Sequence, residues 1–277
     1  MPRYKASQPA GFFDAQERLE QLRRMDDPLL RLHAAIDWEG VFRPVLEEIT
    51  RATPPKGPGG QPPFDPLLMF QALVLGRLHN LSDHGLERQI RKDLVFMSFL
   101  GLTLADRVPD EKTLWEFREK LGGGEGFTRL FERFNAHLRE HGHFTKEGRI
   151  IDATFVEGPI QRNRREENER IKAGEIPAGW PEQPHKLAQK DTDARWTKKN
   201  GRSYYGYKNH VKIDAGSKLI ESHTVTAASV HDSQQLAALV REGDGAVWAD
   251  SAYSGAPCAQ TLAGQGVTGH VCEKGTR

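Results

Sequence analysis

Two kinds of hydrophobic spacing divide the chain. From about residue 12 to about residue 140, apolar residues recur every three or four positions, which is typical of helices that bury one face. From residue 148 onward, apolar residues alternate with polar ones or form short runs, which is typical of strands. The pattern predicts an α+β protein with an all-helical N-terminal domain and a mixed-sheet α/β domain after it.

The clearest helix signal is the segment FDPLLMFQALVLGRL. Asp65 can cap the first turn, and Pro66 suits a position where no amide donor is needed. The spacing predicts one inward face made of Leu67, Phe70, Val74, Leu78 and Leu81.

Other segments predict the rest of the helical part. A helix is expected from Ser82, with Leu86, Ile90 and Leu94 at spacing four, and others at PDEKTLWEFREKL and FTRLFERFNAHLREHG. The segment FMSFLGL is expected to be a buried connector, and TPPKGPGGQPPF a linker or arm.

The second part predicts the element order β, β, β, α, β, α, β. Its first strand is GRIIDATFVEG, followed by a hairpin that turns at DAGSK between YYGYKNHVKI and a strand ending near Thr226. A polar insert over residues 159–204 separates the first strand from the hairpin. The alternation in YYGYKNHVKID also predicts that Lys208, His210 and Lys212 point to the same side of the sheet.

Positive and negative charges nearly cancel over the whole chain, but they are unevenly distributed along the sequence. The formal net charge is +1, which excludes a histone-like protein, yet residues 161–212 contain 13 Lys and Arg against 7 Asp and Glu. Composition alone favours a solvated loop for this insert, whereas its interleaved aromatic residues favour contact with a polyanion. These aromatic residues are Trp180, Trp196, Tyr204, Tyr205 and Tyr207.

Composition excludes several other classes. Two cysteines, Cys258 and Cys272, are too few for a disulfide framework or a Cys-rich zinc module. The longest apolar stretch, residues 67–78, is too short to span a bilayer and contains Arg77. We therefore expect a soluble cytoplasmic protein with no membrane partner.

Two aspartates occur where strands predict burial. Asp152 lies within RIIDATFV, and Asp250 ends AVWADSAY. A buried carboxylate is costly unless a cation compensates it, and carboxylates are the ligands that Mg²⁺ and Mn²⁺ prefer. Either aspartate alone could simply cap a turn, but two on adjacent strands would come together and form a metal site.

Five segments in order, IIDATFVEGP, DTDARWTKKNGRSYYGYKNHVKIDAGSKLI, TVTAASVHDSQ, ADSAYSG and GHVCEKGTR, resemble the insertion-sequence 5 family of bacterial DDE transposases. The helical half is similar to that family's N-terminal domain. The resemblance implies a helical DNA-end-binding domain over residues 1–145 and an RNase H-like catalytic domain over 146–277, which contains the basic insert.

The resemblance also implies roles for residues. Asp152 and Asp250 would be catalytic and would hold two divalent ions, Mg or Mn, for cleavage of element ends and strand transfer into target DNA. The family pattern needs a third carboxylate, a Glu on a later helix; Glu273 is a poor substitute for it. The resemblance therefore implies a C-terminally truncated, impaired enzyme, or else an inactive DNA-binding protein that inhibits transposition.

The expected partner is double-stranded DNA, namely terminal inverted repeats and target, and the protein is expected to form a homo-oligomer near the nucleoid. Backbone DNA contacts are expected from Arg195, Lys198 and Lys199. Lys208, His210 and Lys212 are expected either to contact a phosphate of the scissile strand or to lie on a solvated sheet face. Asp232 is expected to cap a helix, and His231 is a candidate accessory residue of the metal site.

Overall fold

The helices of the N-terminal part begin where short polar side chains can accept from free backbone amides. The computed structural model describes residues 11, 13–51, 62–123, 125–199 and 201–273. Asp65 accepts from the amide of Leu67 at 2.7 Å and Ser82 from that of Gly85 at 3.1 Å. These caps confirm the predicted starts of two helices. Most of the predicted linker TPPKGPGGQPPF lies outside the described residues.

The chain divides into two compact units, Met1–His137 and Leu138–Arg277. The first unit is helical. Its elements are α1 (Asp14–Arg24), α2 (Pro28–Ala35), α3 (Trp38–Val41), α4 (Arg43–Arg51), α5 (Pro66–Leu78), α6 (Asp83–Lys92), α7 (Leu94–Phe99), α8 (Glu111–Gly122) and α9 (Gly126–Glu140), the last of which continues into the second unit.

Helix α5 is more deeply buried than a single inward face would allow. Leu67 is buried as predicted, but Leu78 is 55% exposed, and Met69, Ala72 and Leu75 are buried instead. The prediction of one five-residue face was therefore wrong in part. Surrounded by neighbouring helices, α5 contacts apolar side chains on most of its circumference, as expected for a central helix.

The segment FMSFLGL is largely buried, as predicted, but part of it forms a helix rather than only a connector. Its first residues belong to helix α7, which begins at Leu94 because Asp93 accepts from the amide of Val95 at 2.8 Å. Leu94 therefore begins a new helix rather than continuing α6. Phe96 and Phe99 of α7 are buried in the core of the first unit.

The second unit is built on a mixed sheet. Its strands are β1 (Arg149–Glu157), β2 (Arg195–Lys199), β3 (Arg202–Asp214), β4 (Ile220–Ala227), β5 (Ala246–Ala249) and β6 (Thr268–Val271). The order is β2-β3-β1-β5-β6, with β4 also pairing with β3. Strand β3 is antiparallel to β1, β2 and β4, whereas β5 is parallel to both β1 and β6.

Helices of the second unit connect these strands. They are α10 (Arg165–Lys172), α11 (Pro184–Ala188), α12 (Leu236–Leu239) and α13 (Ala256–Gly264), with 3₁₀ turns at Asp232–Gln235 and Ser251–Tyr253. Leu236, Leu239 and Leu262 pack with Ile151 and Val247 in a core on one side of the sheet. The predicted hairpin and the later alternation of helices and strands are confirmed.

The polar insert is more ordered than its composition indicated. It contains α10, α11 and strand β2, none of which was predicted. Trp180 is only 1% exposed, so the insert has a small core of its own. Across the described segments of the chain, we find no helix that is both long and apolar enough to cross a membrane.

Candidate functional site

The parallel pairing of β1 with β5 brings the two predicted aspartates together. The last paired residues are Ile151 and Ala249, so Asp152 and Asp250 are the next residues on adjoining strands. Ile150 pairs with Trp248 in the same register, and two-residue alternation therefore places both aspartates on the same side of the sheet. Strand pairing thus closes a separation of 98 residues in sequence.

Neither aspartate is buried, which corrects the expectation that both occupy apolar surroundings. Both are exposed, while their neighbours Ile151 and Ala249 are only 1% and 7% exposed. Ile151 and Ala249, the residues directly before the two aspartates, point to the opposite side of the sheet. The carboxylates can therefore carry negative charge in contact with water, without the desolvation cost inferred from the sequence.

Each carboxylate is held by one nearby amide. Oδ1 of Asp152 accepts from the amide of Ala153 at 2.7 Å, and Oδ1 of Asp250 accepts from the amide of Ala252 at 2.9 Å. The second bond makes Asp250 the cap of the 3₁₀ turn that follows. In the described part of the molecule, the other oxygen of each carboxylate has no hydrogen-bond donor and can act as a ligand.

Tyr253 lies in the core close to this pair and was not identified from the sequence. It is 1% exposed, and its hydroxyl has no hydrogen-bond partner among the described residues. Burial raises the pKa of Tyr253, and the negative charges of Asp232, Asp250 and Asp152 raise it further. The hydroxyl is therefore protonated and lies in the field of three carboxylates.

The pair of carboxylates fits a divalent cation. Mg²⁺ commonly binds to one or two carboxylates while water and substrate phosphates complete its coordination. Asp152 and Asp250 offer this arrangement, since each has an exposed oxygen. Within the described residues, no group of three or more His, Cys, Asp or Glu side chains is arranged to hold a metal ion.

Lys208 and His210 lie inside the second unit, not on a solvated face. Lys208 is 9% exposed and donates to Asp232 at 2.8 Å and to the carbonyl oxygen of Val230 at 2.7 Å. His210 is fully buried, with Nε2 2.9 Å from the hydroxyl of Thr226. Burial lowers the pKa of His210, as does nearby Lys208, while Asp232 acts in the opposite direction.

Lys212 is buried in the same way. It is 1% exposed, and its ammonium lies 2.9 Å from both oxygens of Asp244. The alternation that placed the three side chains on one face is confirmed, but this face packs against the interior. The alternative of a solvated sheet face was wrong, because Asp232 and Asp244 pair with the lysines inside the fold. Contact with a phosphate of the scissile strand stays a prediction.

The remaining basic candidates differ in whether their cationic groups already bond to other parts of the protein. The guanidinium of Arg195 donates to the carbonyl oxygens of Thr192, Ala194 and Ile171, so it holds the insert together. Lys198 and Lys199 are exposed, and the ammonium of Lys199 lies 5.7 Å from the ring centre of Phe155. Their cationic groups remain accessible to an anion.

Two further predictions concern residues near the end of β4 and β6. His231, not Asp232, caps the 3₁₀ turn, accepting from the amide of Ser233, and Asp232 instead pairs with Lys208. Glu273 is exposed and lies two residues after β6, one position beyond the level of Asp250.

The second unit is therefore an RNase H-like domain of the α+β class, with Asp152 inside β1 adjoining Asp250 directly after β5. Residues 143–276 match a family described as "Transposase DDE domain", and residues 17–120 match one described as "Transposase domain (DUF772)". Together these matches cover most of the chain. The chain belongs to the DDE transposases.

One solved structure is similar to the chain at low identity. It is a cryo-EM structure of the piggyBac transposase synaptic complex with hairpin DNA, 14% identical, with a TM-score of 0.36. The alignment covers 93% of this chain and 53% of that one, so the chain spans about half the length of that transposase.

Proposed function

We propose that the protein is the transposase of a bacterial insertion sequence, which cuts DNA at the element ends and joins them to a target. The observation that carries this proposal is the position of Asp152 and Asp250 side by side on β1 and β5, within a domain that matches the DDE transposases. The specific assignment to the insertion-sequence 5 family rests on the sequence segments quoted above.

Asp152 and Asp250 would hold two divalent ions, Mg²⁺ or Mn²⁺. When bound, such ions make a water nucleophilic and stabilise the leaving 3′ oxygen of a phosphodiester. The amides of Ala153 and Ala252 orient one oxygen of each carboxylate and leave the other for the ligand. The water oxygen forms the new bond to phosphorus as the bond to the 3′ oxygen breaks, and the freed 3′ hydroxyl then attacks the target strand.

The other parts of the molecule would bind and position DNA. Exposed Lys198 and Lys199 suit contacts to phosphates, which fix position without reading sequence. The helical N-terminal unit would bind the terminal inverted repeats, and a homo-oligomer would hold two ends together. Both roles follow from the resemblance to the family, and the cytoplasm is the compartment in which such DNA is reached.

A nicking assay tests the proposal. The substrate is a duplex that carries the sequence bordering the gene, incubated with the full chain in Mg²⁺ or Mn²⁺. We expect strand cleavage that Asp152→Asn and Asp250→Asn both abolish, while Asp193→Asn, an exposed aspartate of the same unit, retains it. Specific binding without cleavage would favour the alternative, a DNA-binding protein that inhibits transposition. No preference for this duplex over random DNA would contradict both.

A further inference from the structure

The insert contains a polar cavity that the proposed reaction does not use. The cavity has a volume of about 590 Å³ and lies between the start of α10 and helix α11. We call it the insert pocket. The lining residues that matter here are Arg162, Asn163, Arg164, Glu167, Lys186 and Lys190.

The floor of the insert pocket is Glu167, which the buried Trp180 behind it holds in place. One carboxylate oxygen of Glu167 accepts from the indole of Trp180 at 2.9 Å, and the other accepts from the amide of Arg164 at 2.7 Å. These bonds, together with that from Lys186, lower the pKa of Glu167 to about 2. The carboxylate is therefore charged at neutral pH, and both of its oxygens already accept hydrogen bonds within the protein.

Two lysines are held in place around this floor. The ammonium groups of Lys186 and Lys190 lie 5.2 and 5.3 Å from the ring centre of Trp180. Lys190 also donates to the side chain of Asn163 at 2.6 Å and to the carbonyl oxygen of Arg162 at 3.2 Å. Both cations are thus ordered before any ligand arrives, which lowers the entropic cost of binding.

The guanidinium groups of two arginines at the same pocket are not engaged by any residue that the structure describes. Arg162 and Arg164 are exposed, and no hydrogen bond or ion pair with another described residue engages either guanidinium. The pocket therefore brings four cationic side chains around a single carboxylate. This excess of positive charge selects an anion, and the planar fork of a guanidinium matches the oxygens of a phosphate.

We propose that the insert pocket binds a phosphodiester of a DNA strand through Arg162 and Arg164, supported by Lys186 and Lys190. Its volume lies within the range of pockets that enclose small ligands, so it can admit a sugar-phosphate unit as well as the phosphate. The choice of DNA as the source of the phosphate rests on the proposed function. The pocket extends that function by a DNA contact apart from Asp152 and Asp250.

The salt dependence of DNA binding tests the proposal. Binding of the full chain to a fluorescent duplex is measured by anisotropy across a series of KCl concentrations, in EDTA to prevent cleavage. Each phosphate contact contributes about 0.9 to the slope of log K against log salt for duplex DNA. Because the two arginines share one phosphate, Arg162→Ala with Arg164→Ala should reduce the magnitude of the slope by about 0.9.

The matched control is Arg165→Ala with Arg170→Ala. Both arginines are exposed on α10 outside the insert pocket, and the change in charge is identical. We expect this control to keep the wild-type slope. An unchanged slope in the pocket variant, or an equal reduction in both variants, would overturn the proposal.

Separate measurements distinguish this proposal from the proposed function. Asp-dependent nicking with an unchanged salt slope in the pocket variant would overturn the pocket and leave the transposase standing. A salt slope that falls in the pocket variant, without any nicking by the wild type, would support the pocket and contradict the transposase activity. Failure of the wild type to bind DNA would contradict both proposals. A titration with inorganic phosphate or a deoxynucleoside monophosphate tests whether the pocket binds a free phosphate instead of DNA. If this binding is saturable and lost in the pocket variant, while the salt slope of DNA binding is unchanged, the site belongs to a free ligand.

Discussion

The ammonium of Lys212 lies 2.9 Å from each carboxylate oxygen of Asp244, and the two side chains are only 1% and 6% exposed. Asp244 also accepts from the amide of Arg241, and the guanidinium of Arg149 lies 4.0 Å from it. The pair joins strand β3 to the turn before β5, the strand that leads to Asp250. It therefore supports the candidate site from within the domain.

Loss of one partner should destabilise the protein strongly. Among the described residues, Lys212→Met would leave buried Asp244 with Arg149, 4.0 Å away, as its one cationic neighbour. Removing one member of a buried pair typically costs about 3–5 kcal/mol. The free energy of unfolding in urea measures this loss. Lys198→Met, the same change at an exposed site, should alter it by no more than about 0.5 kcal/mol. Equal values for both variants would contradict a structural role for the pair.

Gly206 should not tolerate a side chain. Its φ is +139°, and an added Cβ would collide with the carbonyl oxygen of Val156 and lie 2.5 Å from the amide nitrogen of Gly158. Gly201 also has positive φ, +82°, but open space around it. Gly201→Ala should cost about 1–2 kcal/mol from backbone strain alone, and Gly206→Ala distinctly more. Chemical denaturation of both variants isolates the clash between β1 and β3; equal losses would argue against it.

The stability of the second unit should fall on mild acidification. Burial keeps the pKa of His210 below its ordinary value, so the folded protein binds this proton less readily than the unfolded chain. Folding stability therefore decreases as pH falls through about 6.5, the ordinary histidine value. Unfolding free energies between about pH 7.5 and 5.5 should depend less steeply on pH in His210→Gln than in the wild type. Burial also lowers the pKa of His33, but His33 is present in both proteins, so its contribution cancels in the comparison. Unfolding free energies with the same pH dependence in both proteins would refute the assignment to His210.

Divalent ions should stabilise the folded protein through the two aspartates. A ligand that binds only the native state adds about 2.7 kcal/mol at one hundred times its Kd. We expect Mn²⁺ to raise the Tm of the wild type and of Asp193→Asn, and to have a much smaller effect on Asp152→Asn and Asp250→Asn. A Tm increase that survives both site variants would place the ion elsewhere.

The predictions that proved correct depend on short-range patterns in the sequence. The starts of α5 and α6 follow from side chains that cap the next turn, as with Asp65 and the amide of Leu67. The hairpin of β3 and β4 follows from alternation around a turn. The adjacency of Asp152 and Asp250 could also be predicted, since it needs only two short strands to pair.

Contacts between distant residues account for what was missed. Lys208 and Lys212 are buried because Asp232 and Asp244, 24 and 32 residues further on, reach them across the fold. The insert contains so few apolar residues that its order depends on Trp180 and the hydrogen bond to Glu167, which composition does not reveal. It stays a prediction that Lys198 and Lys199 contact DNA and that His231 assists at the metal site.

The pairing of β1 with β5 sets an uneven tolerance to insertions. Residues can be added between Glu157 and β2 without moving Asp152 relative to Asp250, because such additions leave the strand pairing unchanged. A single residue added within β1 before Asp152 would turn that carboxylate to the opposite side of the sheet. Among related sequences, the number of residues between the two aspartates should therefore vary widely. Within each strand, insertions or deletions before the aspartate should change the length only by an even number of residues.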